Sequence, residues 1–595
     1  GLPNLRILVT SRALLNSQAE QEFTLKPLAL PDLNLDDFET STAVQLFVSR
    51  AQIAVPTFRL TDENALVVAM LCRQLDGLPL GLELAAARLR LVSLAELAKR
   101  LQNQLDFLAT SAHHPLRPQA TLRATIATSE ALLNDVERAL FARLAVFASS
   151  FSLADAEAVC GGDGIEDLVS VLDGLLDASL VVAEPATHDD PRFRLLVPVQ
   201  QFALTRLKNG DETIWRTRHL TYFLNQAEQM KQQLATQQQA AMLAWYDRVF
   251  NELLAALTFA VDQAEADMAL RLAAALGQFW RIRGHVPSGA ALLTKALALP
   301  NASPQFRAGA LLIHYQLQSY LGNYEPATYK ALDDAYTLFL EQKDLHGQAR
   351  AKVMMGWASL HESLFPLAHE QLQEGLTIFR GLGDIAGLAN ATNHLGLLAY
   401  YENDLEGAEQ YWTETVTFRR MMGDMVGLSG TINNIGLAKM KARDWRSAVQ
   451  LHSENLSVRR ALGHLQGVGQ SLFALGWSML ALGQIEGVKE ILVESLHTRQ
   501  KLSTPGGVLE SLEGLAWLAA IQQKAQIGVR LFGAAQSIRA QLNAETDDVF
   551  ATGFTEYEQL SRKQLGDAEY EALLLVGRTL PMAEAIKLAL DHFSD

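Results

Sequence analysis

Two residues of this chain have chemistry suited to contacting a ligand, the guanidinium of Arg12 and the ring of Pro79. Leu5 to Val9 is a short β-branched and apolar run that predicts a strand, followed at once by Thr10-Ser11-Arg12, polar groups delivered at its C-terminal end. A guanidinium placed there can fork onto phosphate oxygens, and the C-terminal ends of strands are where open α/β sheets hold ligands. Pro79, in Gly77-Leu78-Pro79-Leu80, has no N–H to desolvate against a base. The plainer readings are a surface ion pair for Arg12 and an ordinary turn between helices for Pro79. Other constellations fall short of catalysis. His361-Glu362 and His369-Glu370 lack a second His four residues after the first, so the HExxH zinc pattern is not met. His113-His114 lies beside Pro115 and Pro118 in a linker, and the turn His188-Asp189-Asp190 is acidic and solvated. The chain contains no Gly-x-x-x-x-Gly-Lys-Ser/Thr phosphate loop and no nucleophile elbow, so no enzymatic activity is expected of it as it stands.

The elements that would carry these residues change along the chain. From about Asp36 to Leu108 the apolar spacing is helical, as in Ala65, Val68, Ala69, Cys72 and Leu75. Residues 119 to 208 read as three helices, near 136–148, 153–160 and 165–178, followed by the strand pair Leu180 to Glu184 and Arg192 to Leu196. This is a winged-helix pattern. The segment holds seven Lys/Arg against thirteen Asp/Glu, a net of -6, which argues against DNA binding. The whole chain agrees: 595 residues carry a formal charge of -16, and phosphate backbones or anionic membranes require clustered cations. With 49% hydrophobic residues there is ample core for several domains. Cys72 and Cys160 offer neither a disulfide framework nor zinc spacing, which suits a reducing cytoplasm. The least charged stretch, Leu465 to Ile485, is interrupted by Gln466, Gln470, Ser478 and Gln484 and reads as core, not as a membrane span. The opening Gly1-Leu2-Pro3 reads as a piece of something longer.

Beyond Trp215 everything reads as helix, and an internal repeat dominates. Gly356, Gly396, Gly436 and Gly476 recur at an interval of 40, as do Ala368, Ala408 and Ala448, and as do Gly383, Gly423 and Gly463. Small residues at fixed positions let antiparallel helices pack closely, and stacked hairpins form a solenoid with a concave surface free for binding. Glu374, Glu414, Glu454 and Glu494, with Arg380, Arg420 and Arg460, keep the same step and read as a solvated face with cations near helix C-termini. On the first helices, Trp357, Trp477 and Trp517 share one column, Asn393 and Asn433 another, and Tyr400 a third. Aromatic anchors beside amides suit a protein, peptide or small ligand in the groove, while the same Trp side chains could equally fill core between repeats.

Four motifs together resemble a known family. Ile7 to Arg12, Gly77-Leu78-Pro79-Leu80 with the Ala-rich Gly81 to Arg88, Thr121 to Ile126, and Phe193-Arg194-Leu195-Leu196 look like the second half of NB-ARC type STAND ATPases, the bacterial tetratricopeptide-repeat regulators above all. The resemblance implies that Arg12 matches the arginine reading the terminal phosphate and that Pro79 packs near the adenine. It further implies ATP/ADP with magnesium as cofactor of the full-length protein, which would be a slow ATPase, with none binding tightly to this portion. Self-association on activation is also implied. This chain departs from the pattern in lacking the phosphate loop and in having Leu196-Val197-Pro198 where the family often places a polar pair such as His-Asp. A passive scaffold remains the alternative to a switch. The expected architecture is mainly α: a remnant of an α/β nucleotide-binding core (1–33), a helical bundle (34–118), a winged helix (119–210), a helical linker (211–304), an α-solenoid of tetratricopeptide-like repeats (305–542) and a helical cap (543–595).

Overall fold

The computed structural model describes residues 26–32, 40–101, 122–184, 191–207, 211–323, 325–502, 504–542 and 548–593. Arg12, His113-His114 and the His188-Asp189-Asp190 turn lie outside them. The chain divides into two compact units, one of residues up to Phe223 with Val249–Ala256, the other of Leu224–Arg248 with the chain from Leu257 onward.

In the first unit, α1 (Thr42–Ala54), α2 (Asp62–Gln74), α3 (Pro79–Arg88) and α4 (Leu94–Leu101) bury Phe47, Val68, Leu71, Leu82 and Leu97 in one core. The Gly-Leu-Pro-Leu turn is built by close backbone contact. Gly77 has φ +63° and lies against the backbone of Leu28, where a Cβ would collide with the carbonyl oxygen, and the Leu28 N–H donates to the Gly77 carbonyl at 3.1 Å. Pro79 then opens α3 at its first position, where a missing N–H costs nothing.

After α5 (Leu122–Glu130) comes the winged-helix arrangement: α6 (Asp135–Leu144), β1 (Phe151–Ser152), α7 (Leu153–Cys160), α8 (Leu168–Asp177), β2 (Val182–Ala183), β3 (Arg192–Arg194) and α9 (Val197–Leu204). The sheet order is β1-β3-β2, antiparallel throughout, with Phe151 opposite Phe193 and Val182 opposite Arg194. Capping boxes begin two of the helices, Asn134 with Glu137 and Ser152 with Asp155. Two long helices follow, α10 (Asp211–Gln233) and α11 (Gln239–Asp262). Glu252 of α11 is fully buried and accepts from the Ala148 and Ser149 N–H groups at 2.9 and 2.6 Å, while its carboxylate also meets His219 Nε2 at 2.8 Å.

In the second unit the repeats are antiparallel hairpins. The first helices of the pairs are α12 (Ala266–Arg283), α14 (Pro304–Tyr320), α16 (Leu345–His361), α18 (Ile385–Tyr401), α20 (Met425–Lys441), α22 (Leu465–Ala481) and α24 (Pro505–Ile521). Their partners are α13 (Val286–Leu297), α15 (Pro326–Glu341), α17 (Phe365–Leu382), α19 (Leu405–Met422), α21 (Trp445–Ala461), α23 (Val488–Lys501) and α25 (Ala525–Gln541). Short polar punctuation sets the step. Asp344, Asp384 and Asp424 cap successive first helices by accepting from the N–H of Gly347, Gly387 and Gly427 at 2.9–3.0 Å. Gly383, Gly423 and Gly463 adopt positive φ at the turn into the next hairpin, and Ser363, Asn403 and Arg443 do so at the turn within one.

The glycine column explains itself in the packing. Gly356, Gly396, Gly436 and Gly476 face Leu372, Trp412, His452 and Leu492 of the partner helix, and a methyl group on any of the four would collide with that side chain. The chain ends with α26 (Asp548–Leu565), α27 (Asp567–Arg578) and α28 (Met582–Phe593), which share a core with α22 to α25.

Candidate functional site

The structure separates the residues that the sequence places in one groove. Trp477 and Trp517, at 1% and 2% exposure, lie 4.8 Å apart, Trp477 packs on Phe550 and Phe554 of α26, and both indoles lie against Gly553 of the same helix. They are core, and the partner-binding expectation for them is corrected: α26 covers the apolar face that the last repeats would otherwise present to a ligand. Tyr400 is 3% exposed and packs on Trp412, with Lys441 over its ring at 4.5 Å, so it too is structural. Trp357, Asn393 and Asn433 keep partial exposure. Trp357 stacks on His394 at 5.6 Å and meets Tyr315 edge-on at 5.7 Å. Asn393 Oδ1 accepts from Asn434 at 3.3 Å, and Asn433 Oδ1 from Arg459 at 3.2 Å.

A second column, one residue ahead of the exposed arginines at 380, 420 and 460, escapes the sequence reading. Phe339, Phe379, Arg419, Arg459 and Arg499 recur at the same step of 40, and each lies against the glycine that opens the next first helix, from Gly347 to Gly507. The first two need only fill space. The arginines also reach inward: Arg459 donates to the Gly467 carbonyl at 2.7 Å and Ser471 Oγ at 2.9 Å, and Arg499 to the Gly507 carbonyl at 2.6 Å and Glu510 at 2.7 Å. Burial pushes the Arg459 guanidinium down to about 10. The signal that could have found this column was in plain view, since it obeys the register already read from the glycines.

Two contacts tie the early helices of this unit to later ones. Gln239 at the start of α11 donates to Asp424 Oδ1 at 3.1 Å and accepts from the Val426 N–H at 2.9 Å, which ties it to the cap of α20. Arg283 at the end of α12 donates to the carbonyls of Leu462 and Gly463 at 2.7 and 2.8 Å and pairs with Asp247. Arg281 therefore stands among groups from distant hairpins and donates to the Tyr320 hydroxyl at 3.0 Å. Burial, then Arg419, His361 and Arg281, push His394 down to about 3. Burial, then Arg459, Arg281 and Arg283, do the same to His464.

Among the nucleotide-type expectations, Pro79 is exposed at the head of α3. Asp76, immediately before the motif, is buried with φ +50°. It accepts from Arg194 Nη1 of β3 at 3.0 Å and from the Val197 N–H that opens α9. The position where a polar pair was expected is thus held to the bundle through backbone. Among the described residues no cluster of three or more His, Cys, Asp or Glu could hold a metal, and no helix is long and apolar enough to cross a membrane.

Comparison with known proteins bears on both units. Residues 133–208 match the winged helix-turn-helix domain family. The chain is 35% identical over 290 residues to "Putative HTH-type transcriptional regulator Rv0890c" of Mycobacterium tuberculosis, an alignment covering 48% of this chain and 32% of that protein. It is 37% identical over 214 residues to an uncharacterized protein, Rv0894, of the same organism, covering 35% and 52%. The chain thus spans about a third and about half of these relatives. A STAND protein with a tetratricopeptide repeat sensor from Pyrococcus horikoshii has a similar solved structure, at 13% identity and a TM-score of 0.47, covering 93% of this chain and 74% of that one. The chain accordingly carries a winged helix-turn-helix domain at 133–208.

Proposed function

We propose that this chain is the sensing portion of a signal-transduction and transcriptional regulator, in which the repeats recognise a protein, peptide or small ligand and the longer protein switches with ATP or ADP and magnesium. The observation that carries the reading is the pairing, in one chain, of a winged helix-turn-helix domain with repeats in a fixed 40-residue step, in a sequence related to proteins named as transcriptional regulators. The Asp76 contact with Arg194 and Val197 supports a two-state element, because a bundle latched to a wing by one buried carboxylate can be biased by whatever binds elsewhere. In this reading Arg12 and Pro79 contribute to the nucleotide site, and Trp357, Asn393 and Asn433 to ligand recognition. Location is cytoplasmic, and activation brings copies together.

Deleting the gene and profiling transcripts tests the proposal. A defined set of transcripts should change and be restored by the full-length gene, but not by a version lacking residues 305–542. An unchanged profile would sink the regulator reading. For the nucleotide, calorimetry on this chain should show no micromolar ATP binding, since one Arg and one Pro cannot replace a phosphate cradle with its Lys and metal. The longer product should bind ADP or ATP. A passive scaffold is favoured by one feature, the apolar Leu196-Val197-Pro198, and predicts no binding in either.

A further inference from the structure

The last repeats show what the first helices of the array can receive. Trp477 of α22 and Trp517 of α24 stand one step of 40 apart, in a single column, and both are buried. What lies on them is α26. Its Phe550 and Phe554 meet the Trp477 ring at 5.0 and 5.3 Å, and between those two phenylalanines Gly553 comes so close that a Cβ there would collide with both indoles. An amphipathic helix thus seats on this column with aromatic side chains flanking a residue small enough to pass the Trp rings.

The same column runs back through Leu437 of α20 and Leu397 of α18 to Trp357 of α16, and in these three repeats it is partly exposed. One turn further along α18, Tyr401 is 47% exposed. The three first helices stand side by side: Trp357 stacks on His394 of α18 at 5.6 Å, and Asn393 of α18 accepts from Asn434 of α20 at 3.3 Å. The side chains therefore form one continuous apolar and aromatic face, and a patch of that kind left in water marks an interaction surface. Its backbone is already paired within the helices, so it has no sheet edge to offer an extended strand. An occupant must bring its own backbone hydrogen bonds, as a helix does.

We propose that the face carried by α16, α18 and α20 binds an amphipathic helix of a partner protein, seated as α26 is seated on α22 and α24. Trp357 sets the demand that Trp477 and Trp517 set, a small residue at the closest approach. Leu397 and Leu437 are smaller than Trp and leave room for the large apolar side chains that flank it. The proposal names the class of partner for the recognition role given above and rests on that role for its biological meaning, while helix binding itself is measured on the chain alone.

The probe is a labelled synthetic peptide with the sequence of α26, Asp548 to Leu565, added to the whole chain and followed by fluorescence anisotropy. It should bind saturably at one site, and the same peptide carrying Phe550→Ser and Phe554→Ser should not bind. With a photoreactive group on the peptide, cross-links located by mass spectrometry should fall on α16, α18 or α20. Tyr401→Asp, at an exposed position, and Leu397→Asp should each weaken binding about tenfold or more. Glu414→Gln, on the exposed face of α19, should leave it unchanged. The cross-links are read on the wild-type chain, so they decide the matter even if an Asp variant fails to fold. Absence of saturable binding, binding that both Asp variants leave unchanged, or cross-links confined to α22 and α24, where the peptide would merely exchange with the chain's own α26, overturns the proposal. The transcript experiment succeeds or fails independently of all three.

Discussion

His452 shows how much a single repeat position can carry. The same position is Leu in two repeats, Leu372 and Leu492, and Trp412 in a third, so its role is to fill the space opposite a glycine. As a fully buried imidazole with neither ring nitrogen bonded, it is held neutral, and burial, then Arg459, push it down to about 3. The folded state thus binds its proton less readily than the unfolded chain, where an ordinary histidine titrates near 6.5. Stability from this residue is complete above that value and is lost as pH falls below it, by about 2 kcal/mol at pH 5. His452→Leu should flatten the fall between pH 7 and 5 in urea unfolding, and an unchanged slope would show that the imidazole is not excluded from water. Two further substitutions separate packing from recognition. Gly396→Leu must displace Trp412 and should cost about 1–3 kcal/mol or more. Trp477→Ala should cost about 3–5 kcal/mol, as expected of a core residue. Thermal unfolding of the two variants measures both, and a Trp477→Ala chain that melts like the wild type would return this residue to the groove. The glycine register was legible because a step of 40 needs only counting. The fate of Trp477 was not, because it shares a column with Trp357, and only α26, which carries no repeat signal, decides which of the two is covered.

The element that most constrains function is α8, placed where a winged helix presents its reading helix to DNA. Its sequence, Leu-Val-Ser-Val-Leu-Asp-Gly-Leu-Leu-Asp from Leu168 to Asp177, has no Arg, Lys, Asn or Gln to reach base edges, and Glu166, Asp167, Asp173 and Asp177 would face phosphates. The chain is therefore expected not to retard random duplex DNA at physiological salt. Retardation that weakens steeply with added salt would refute this and point to a cationic surface elsewhere. The wing was legible as an order of helices and strands, and its acidity as a count. Its tie to the bundle was not, because Asp76 and Arg194 stand 118 residues apart and neither looks unusual alone.

At the scale of the second unit, the closure of the array is the feature no local pattern announces. Hairpin periodicity predicts a stack, but the curvature of that stack depends on small rotations at every interface, and the contact of Gln239 with Asp424 and Val426 joins residues some 185 positions apart. Gln239→Ala leaves the Val426 N–H without its acceptor and should cost about 1–3 kcal/mol. Hydrogen exchange should then rise at the start of α20 before it rises elsewhere in the repeats. Uniform protection in the variant would mean that the contact holds nothing.

The tie between α11 and α20 gives the repeats a mechanical character that a freely ending solenoid lacks. An open coil absorbs a change in pitch at any one turn by letting its end swing, so the disturbance is lost into solvent. A coil whose early turn is pinned to a later one has no free end over that interval. A rotation of a hairpin between α12 and α20 must be matched by opposite rotations in the others or appear as tension at Gln239. Over that interval the helices are coupled through one buried amide, and none of them turns alone.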